Sequence, residues 1–367
     1  MIVLPDPWDA LSVGERLPDR LVVSYEATGV RDALKRRGLS FVLAPVTGEL
    51  LTLRLLLDHA PEPDDQRVIA FKPSARLEET NHRFALAPSS VAGGIENKLS
   101  LSAIAREAGV TIAPQGKARV GVDSFETLIS RYGLPFVAQS PRGFAGRRTF
   151  KICSAEDWEG LSSVLPGRPV KVAAWASGRP GTSNAVVDHA GNVMVSAPIL
   201  QLTGDPDLTP HLLGSCGNDF TWRPGPHPGN HPAQIAEALG PVLAKRGFRG
   251  HFGIDWVWNG TECTLIEINA RLTASFGLYI RERPELLHAH VAATNGSVIS
   301  AKRLAPFEGG QLVAYNVGEG PAAPLSAANC WPTPGDSIAP GAKRGRLIVR
   351  GPVVDEAGNR LVQLPSG

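Results

Sequence analysis

One stretch constrains this chain more than any other: HFGIDWVWNGTECTLIEINAR, residues 251–271. Two apolar-rich runs flank the turn signal NGTE, so the segment is predicted to be a β-hairpin. Residues two apart in a strand share a face. Glu267, Asn269 and Arg271 therefore fall on one face, while Ile266 and Ile268 are expected to point the other way, into a core. Asp255 lies near the middle of the first strand, where the hairpin can bring it beside Glu267. Two carboxylates and an amide supply hard oxygen donors, which suit Mg²⁺. Arg271 puts a cation beside them, as expected if an anion is held between the two. The same spacing would also describe the solvent face of an amphipathic hairpin, so the surroundings must decide.

Upstream, residues 20–47 read as strand, helix, strand. ELLTLRLLLDHA is predicted as a further helix and RVIAFK as a third strand, and this alternation implies a parallel sheet with helices on its faces. NKLSLSAIAREAGV is an amphipathic helix stopped by Gly109, and DSFETLISRYG is a helix stopped by Gly133. LPFVAQS and RRTFKICS are strands joined by the glycine-bearing turn PRGFAG, a predicted hairpin. A helix over SAEDWEGLSSVL begins at Ser154 as N-cap. Strands follow at VKVAAWA, TSNAVVD and NVMVSAPILQL, the last two turning at HAGN. Residues 204–231 carry many Pro and Gly and little periodicity, and are expected to be a loop or lid. HPAQIAEALGPVLAKRG and RPELLHAHVAATNG are helices, and short β runs from about residue 308 suggest a small β-rich tail.

Composition narrows the function. Lys and Arg number 37 against 35 Asp and Glu, so no large field favours nucleic acid or an anionic membrane. No apolar run approaches the ~20 residues of a membrane span. The N-terminus MIVLPDPWDALS lacks the pattern of a signal peptide, so a cytoplasmic location is expected. The four cysteines, Cys153, Cys216, Cys263 and Cys330, form no CxxC pair. Cys216, His227 and His231 have a zinc-like spacing, but the prolines of RPGPHPGNHP prevent a helix from aligning the imidazoles, so a surface loop is expected there. Gly29 follows a strand and opens a helix, which could hold an anion, but the chain lacks GxGxxG and the common hydrolase signatures. His251 and His288 are expected to be structural.

The hairpin GIDWVWNGTECTLIEINARLTAS resembles the C-terminal core of the ATP-grasp superfamily, with an acid on one strand and Glu-x-Asn-x-Arg on the next. The resemblance runs backwards in order over about residues 95–280. NKLSLSAIAREAGVTIAP resembles the family's lysine, helix and Gly-Val-x-x-Pro turn. LPFVAQSPRGFAGRRTFKI resembles its glycine-rich loop between strands, and VKVAAWASG its adenine hinge. TPGDSIAPGAKRGRLIV resembles the tail of members distantly related to biotin carboxylase. The fold implied is α/β (α+β). It has an N-terminal parallel lobe (1–93), a two-lobed ATP-grasp domain (94–300; nucleotide lobe about 117–176, catalytic lobe about 177–300) and a β-rich C-terminal segment (301–367).

The resemblance also implies roles. Asp255, Glu267 and Asn269 would hold one or two Mg²⁺, with Mn²⁺ as a substitute. Lys98 would reach the ATP, and Gly143, Gly146 and Arg147 would close over its phosphates. Val172, Ala173 and Trp175 would meet the adenine. Gln201 would face the nucleotide or the second substrate, and Arg271 would bind the reacting carboxylate or acyl phosphate. One departure stands out: Gln139 or Ser140 occupies the place where the family carries a lysine before the loop, with Arg147 or Arg148 as candidates to compensate. The function implied is an ATP-dependent, ADP-forming carboxylate–amine ligase, acting on small molecules such as an amino acid or peptide, with a homodimer compatible. A non-amine acceptor such as bicarbonate, or a nucleotide-binding module without catalysis, are the alternatives.

Overall fold

The computed structural model describes residues 1–4, 7–25, 30–44, 68–79, 83–143, 146–223, 231–315 and 344–362. Among the described residues the backbone forms three sheets. The first is parallel, in the order β3-β2-β1-β4, with β1 Ile2–Val3, β2 Val22–Tyr25, β3 Phe41–Ala44 and β4 Ile69–Ala70. Helices α1 (Pro7–Arg16) and α2 (Val30–Arg36) bury Leu11, Val13, Ala33 and Leu34 in the adjoining core. This is the β–α–β unit expected for residues 20–47. The helix expected over ELLTLRLLLDHA lies outside the described residues, as does Gly29. Helices α3 (Ala75–Glu78) and α4 (Ser89–Glu96) then lead to a 3₁₀ turn, Lys98–Ser100, and to α5 (Leu101–Ala108). Gly109 ends α5 in the left-handed region, at φ 66°, as the sequence predicted.

The second sheet is antiparallel, in the order β5-β8-β6-β7, from β5 Gln115–Arg119, β6 Phe136–Gln139, β7 Thr149–Ile152 and β8 Pro169–Ala174. Helices α6 (Phe125–Tyr132) and α7 (Ala155–Val164) start at Ser124 and Ser154, whose hydroxyls accept backbone N–H bonds. Phe136, Trp158, Val170 and Val172 fill the core between. β6 and β7 form the expected hairpin. β5 was not predicted: QGKAR has no apolar alternation, and its place at the sheet edge rests on its backbone ladder to β8.

The third sheet runs β14-β13-β9-β11-β12-β16-β17, with β10 and β15 pairing at its side. Its strands are β9 Arg179–Val187, β10 Val193–Val195, β11 Ile199–Thr203, β12 Ser215–Asp219, β13 Gly250–Trp258, β14 Cys263–Asn269, β15 Lys302–Arg303, β16 Gly310–Tyr315 and β17 Arg344–Val349. Helix α8 (Pro232–Lys245) lies against β9 and β10, while α9 (Phe276–Glu282) meets α1 and α10 (Glu285–Thr294) meets β9 and β13. The predicted turn at HAGN joins β9 to β10, and Asp188 accepts bonds from Ala190 N, Asn192 N and Ile299 N there.

Residues 204–231 are not wholly a loop, which corrects the sequence expectation: β12 lies between β11 and β16 in mid-sheet. Its sequence SCGND carries no apolar alternation. Gly217 is required by close approach, since a Cβ there would meet Gln311 O at 2.9 Å. Cys216 is buried and donates to Leu202 O, and His231 caps α8, so neither is arranged as a metal ligand; His227 lies outside the described residues. The segment after residue 300 supplies β15–β17 to this same sheet. Residues 333–343 of the tail motif lie outside the described residues. Among the described residues, no helix is long and apolar enough to cross a membrane.

Candidate active site

The hairpin β13–β14 places Asp255 opposite Glu267 and Gly253 opposite Asn269. A register shift follows Asp255, so Trp256 pairs with Leu265 and Ile266 has no partner on β13. Ile266 is the extra residue of a β-bulge, and it is partly exposed rather than in the core as expected. Ile268 does face the core.

The predicted residues converge. Asn269 Nδ2 donates to Asp255 Oδ2 at 3.0 Å, and Gln201 Nε2, from β11, approaches Asp255 Oδ1 at 3.4 Å. Asp255 keeps some surface at the cleft, yet protein surrounds its carboxyl. Desolvation first, then the Glu267 charge, pushes its pKa up to about 6. That carboxyl has amide partners and a like charge beside it, which is the situation a divalent cation relieves. Lys98 Nζ lies 2.6 Å from Glu267 Oε1 and 3.5 Å from Gly143 O. Asp255 and Glu267 thus offer carboxylate oxygens that fit Mg²⁺, whereas the Asn269 amide, with Nδ2 on Asp255 and Oδ1 on Arg271, would join them only by turning over and giving up its bond from Arg271. No group of three or more His, Cys, Asp or Glu adds to it among the described residues.

Arg271 continues the row. Its Nη2 donates to Asn269 Oδ1 at 2.9 Å, its Nε lies 3.0 Å from Glu96 Oε1 at the end of α4, and its guanidinium sits 5.3 Å from the Phe71 ring centre. The other Glu96 oxygen, Oε2, is 2.7 Å from Lys72 Nζ. Arg271 is therefore gripped by an acid at the end of α4 and by an aromatic of the first lobe. His251, buried and neutral with its pKa pushed down to about 3 by burial, shares a hydrogen bond with Arg271 O at 2.8 Å, the structural role expected of it.

The glycine-rich turn spans residues 140–148, of which 144 and 145 lie outside the described residues. A Cβ on Gly143 would meet Arg147 O at 2.8 Å, and Gly146, at φ 73°, would meet the Gly214 backbone at 2.6 Å. Arg147 and Arg148 are exposed on this turn. Lys98 N donates to Pro141 O, tying the turn to the lysine below it. Gln139 is buried, with Nε2 3.5 Å from Thr149 Oγ1.

Val172 and Ala173 lie in β8 with β5 on one side and β6 on the other, so their peptide groups belong to the sheet. The chain is free of the sheet only from Trp175 on, where Lys151 Nζ stands 4.6 Å from a Trp175 ring centre. Two residues escaped the sequence reading. Glu96 precedes Lys98 by two, but only the tertiary fold reveals its grip on Arg271. Lys171 is buried on β8 opposite Gln139, and its Nζ donates to Ile266 O at 3.0 Å. A lysine alternating with Val170 and Val172 was the available signal. Burial pushes its pKa down to about 8 against the pull of Glu267.

No protein-family model matches the chain, and no curated protein does. Solved structures are similar to it in fold. Phosphoribosylamine–glycine ligase from Thermotoga maritima superposes at TM-score 0.66 and 17% identity, over 95% of this chain and 92% of that one. N5-carboxyaminoimidazole synthase from Aspergillus clavatus, in complex with ADP and 5-aminoimidazole ribonucleotide, gives 0.64 and 17% over 96% and 94%. The biotin carboxylase domain dimer of Hydrogenobacter thermophilus 2-oxoglutarate carboxylase, with MgADP, ADP and bicarbonate, gives 0.66 and 13% over 96% and 86%. At these identities the likeness is one of fold.

Proposed function

Starting from a chain with the ATP-grasp fold, we propose that it is an ATP-dependent, ADP-forming ligase that activates a carboxylate and joins it to an amine. The observation that carries this reading is the row Asp255, Glu267, Asn269, Arg271, which faces the buried ammonium of Lys98 beneath a glycine-rich turn. A bound Mg²⁺ would supply neutralisation of phosphate charge. Asp255 and Glu267 would hold it through their carboxylates, and Asn269 through its amide oxygen. Lys98, paired with Glu267, would reach phosphate oxygens, and the backbone N–H groups near Gly143 and Gly146 would cradle them. Trp175 and the chain after it would border the adenine.

Arg271 then has the chemistry to fork onto a carboxylate or the acyl phosphate derived from it, a bidentate contact for which its planar guanidinium is suited. Phosphoryl transfer to the carboxylate would give the acyl phosphate and ADP. Attack by the amine nitrogen on the acyl carbon would expel phosphate and form the amide. Positioning supplies most of the rate in such a scheme, and no protein nucleophile is needed. Small molecules are the partners this reading requires.

The neighbour solved in complex with bicarbonate supports a second reading, in which the acceptor is not an amine. ADP release measured across carboxylate–amine pairs, with and without bicarbonate, separates the two. Release that needs a carboxylate and an amine supports the first reading. A strict bicarbonate requirement favours the second. Mg²⁺-dependent ATP binding with no release under any condition would leave a binding module.

A further inference from the structure

Two lysines, not one, are buried where the second and third sheets meet. Lys98 comes from the turn before α5 and takes Glu267 at 2.6 Å. Lys171 comes from β8, and its side chain crosses from the second sheet to the bulge in β14. Its one acceptor among the described residues is the Ile266 carbonyl, at 3.0 Å. An ammonium has three N–H donors, so this buried group holds donors in reserve. The Glu267 carboxylate acts on it as an opposite charge, and Lys98 acts on it as a like charge. Two buried ammoniums thus converge on one carboxylate that is already taken. Burying a cation without a full set of partners is costly, and an anion entering between the sheets would relieve it.

The sheet register says which anion. Gln139 and Lys171 are direct partners across β6 and β8, so their side chains stand together on the same face. Gln139 is the last residue of β6 and leads directly into the glycine-rich turn. Its amide is a neutral donor, and Lys171 supplies the charge beside it. We propose that Lys171 is a second cation, beside Lys98, that binds the polyphosphate of the nucleotide, entering from β8 at a point where β6 offers only Gln139. This rests on the nucleotide reading above. It also answers the compensation question differently from the sequence, which pointed to Arg147 or Arg148: those two side chains are exposed, whereas Lys171 lies between the sheets.

The test is calorimetric titration of the full chain with adenosine, ADP and ATP in the presence of Mg²⁺. Three proteins are compared: wild type, Lys171→Met, and the exchange Gln139→Lys/Lys171→Gln. Lys171→Met should weaken ADP and ATP by about ten-fold or more, the size of a charge-assisted contact, and leave adenosine unchanged. The exchange should recover most of that loss, because the charge returns to the same face one strand away. Melting temperature is measured in parallel, and Lys171→Met should match or exceed wild type, since a buried charge is removed. Unchanged ADP affinity in Lys171→Met overturns the proposal. So does a parallel loss for adenosine with a lowered melting temperature, which marks a structural tie between the sheets. A folded exchange variant that recovers nothing overturns the equivalence of the two positions. Wild type that binds none of the three ligands would refute the nucleotide reading itself, a result distinct from any variant effect.

Discussion

The Lys98 ammonium and the Glu267 carboxylate meet at 2.6 Å across 169 residues of sequence, both side chains largely buried. This pair joins the turn before α5 to the strand that carries the oxygen donors. Glu267 is therefore a charged partner as well as a candidate ligand, and its substitution has two measurable consequences.

Glu267→Gln should abolish turnover while the protein stays folded. The amide oxygen can still accept from Lys98, but the carboxylate charge facing two buried ammoniums is lost, so a stability loss of up to about 3–5 kcal/mol is expected. ADP release and a melting curve measure the two effects. Near-wild-type turnover would remove Glu267 from the ligand set, and an unfolded protein would make it a structural residue.

The pKa of Asp255, raised to about 6, sets a pH dependence for the metal. A metal takes the carboxylate form, so protons compete with it. Apparent Mg²⁺ affinity should be flat above about pH 7 and fall as pH drops through about 6, approaching ten-fold per pH unit below it for one proton displaced. Mg²⁺ titrations of the ATP complex between pH 5 and 8 would measure this. Asp255→Asn should lower the affinity and remove the step near 6; a step that survives the substitution belongs to another group.

Arg271→Lys separates substrate from nucleotide. Glu96 and Phe71 already orient the guanidinium, and a lysine would keep the charge but lose the fork. A charge-assisted contact of this kind is worth ~1.5–3 kcal/mol, about 10–150-fold in kcat/KM for the carboxylate. ATP affinity should change much less. Equal losses in both, or none in either, would count against the assignment.

Gly146→Ala tests the glycine-rich turn. The residue has φ 73°, and a Cβ would lie 2.6 Å from the Gly214 backbone. The left-handed conformation costs a residue with a Cβ about 1–2 kcal/mol, so ATP affinity should fall about 5–30-fold or more once the clash is added. Melting is measured in parallel, so that lost stability is told apart from lost affinity. Unchanged affinity would detach this turn from the phosphates.

The sequence by itself determined whatever depends on short-range periodicity. The two-residue alternation of β14 is a local property, so Glu267, Asn269 and Arg271 could be put on one face and Asp255 beside them before any coordinates. Helix stops at Gly109 and Gly133, the serine cap at Ser154, and the hairpins at 136–152 and 251–269 have the same local origin. The tertiary structure alone decided the rest. β12 was hidden because SCGND owes its place to backbone pairing on both sides, which leaves no apolar signature. The bulge at Ile266 shifts the register and turns an expected core residue partly outward. Glu96 reaches Arg271, and Lys171 reaches the Ile266 carbonyl, through contacts between sheets and lobes. Alternation tells which face a side chain takes within its own strand; which strand or helix from elsewhere lies against that face is fixed only by long-range packing.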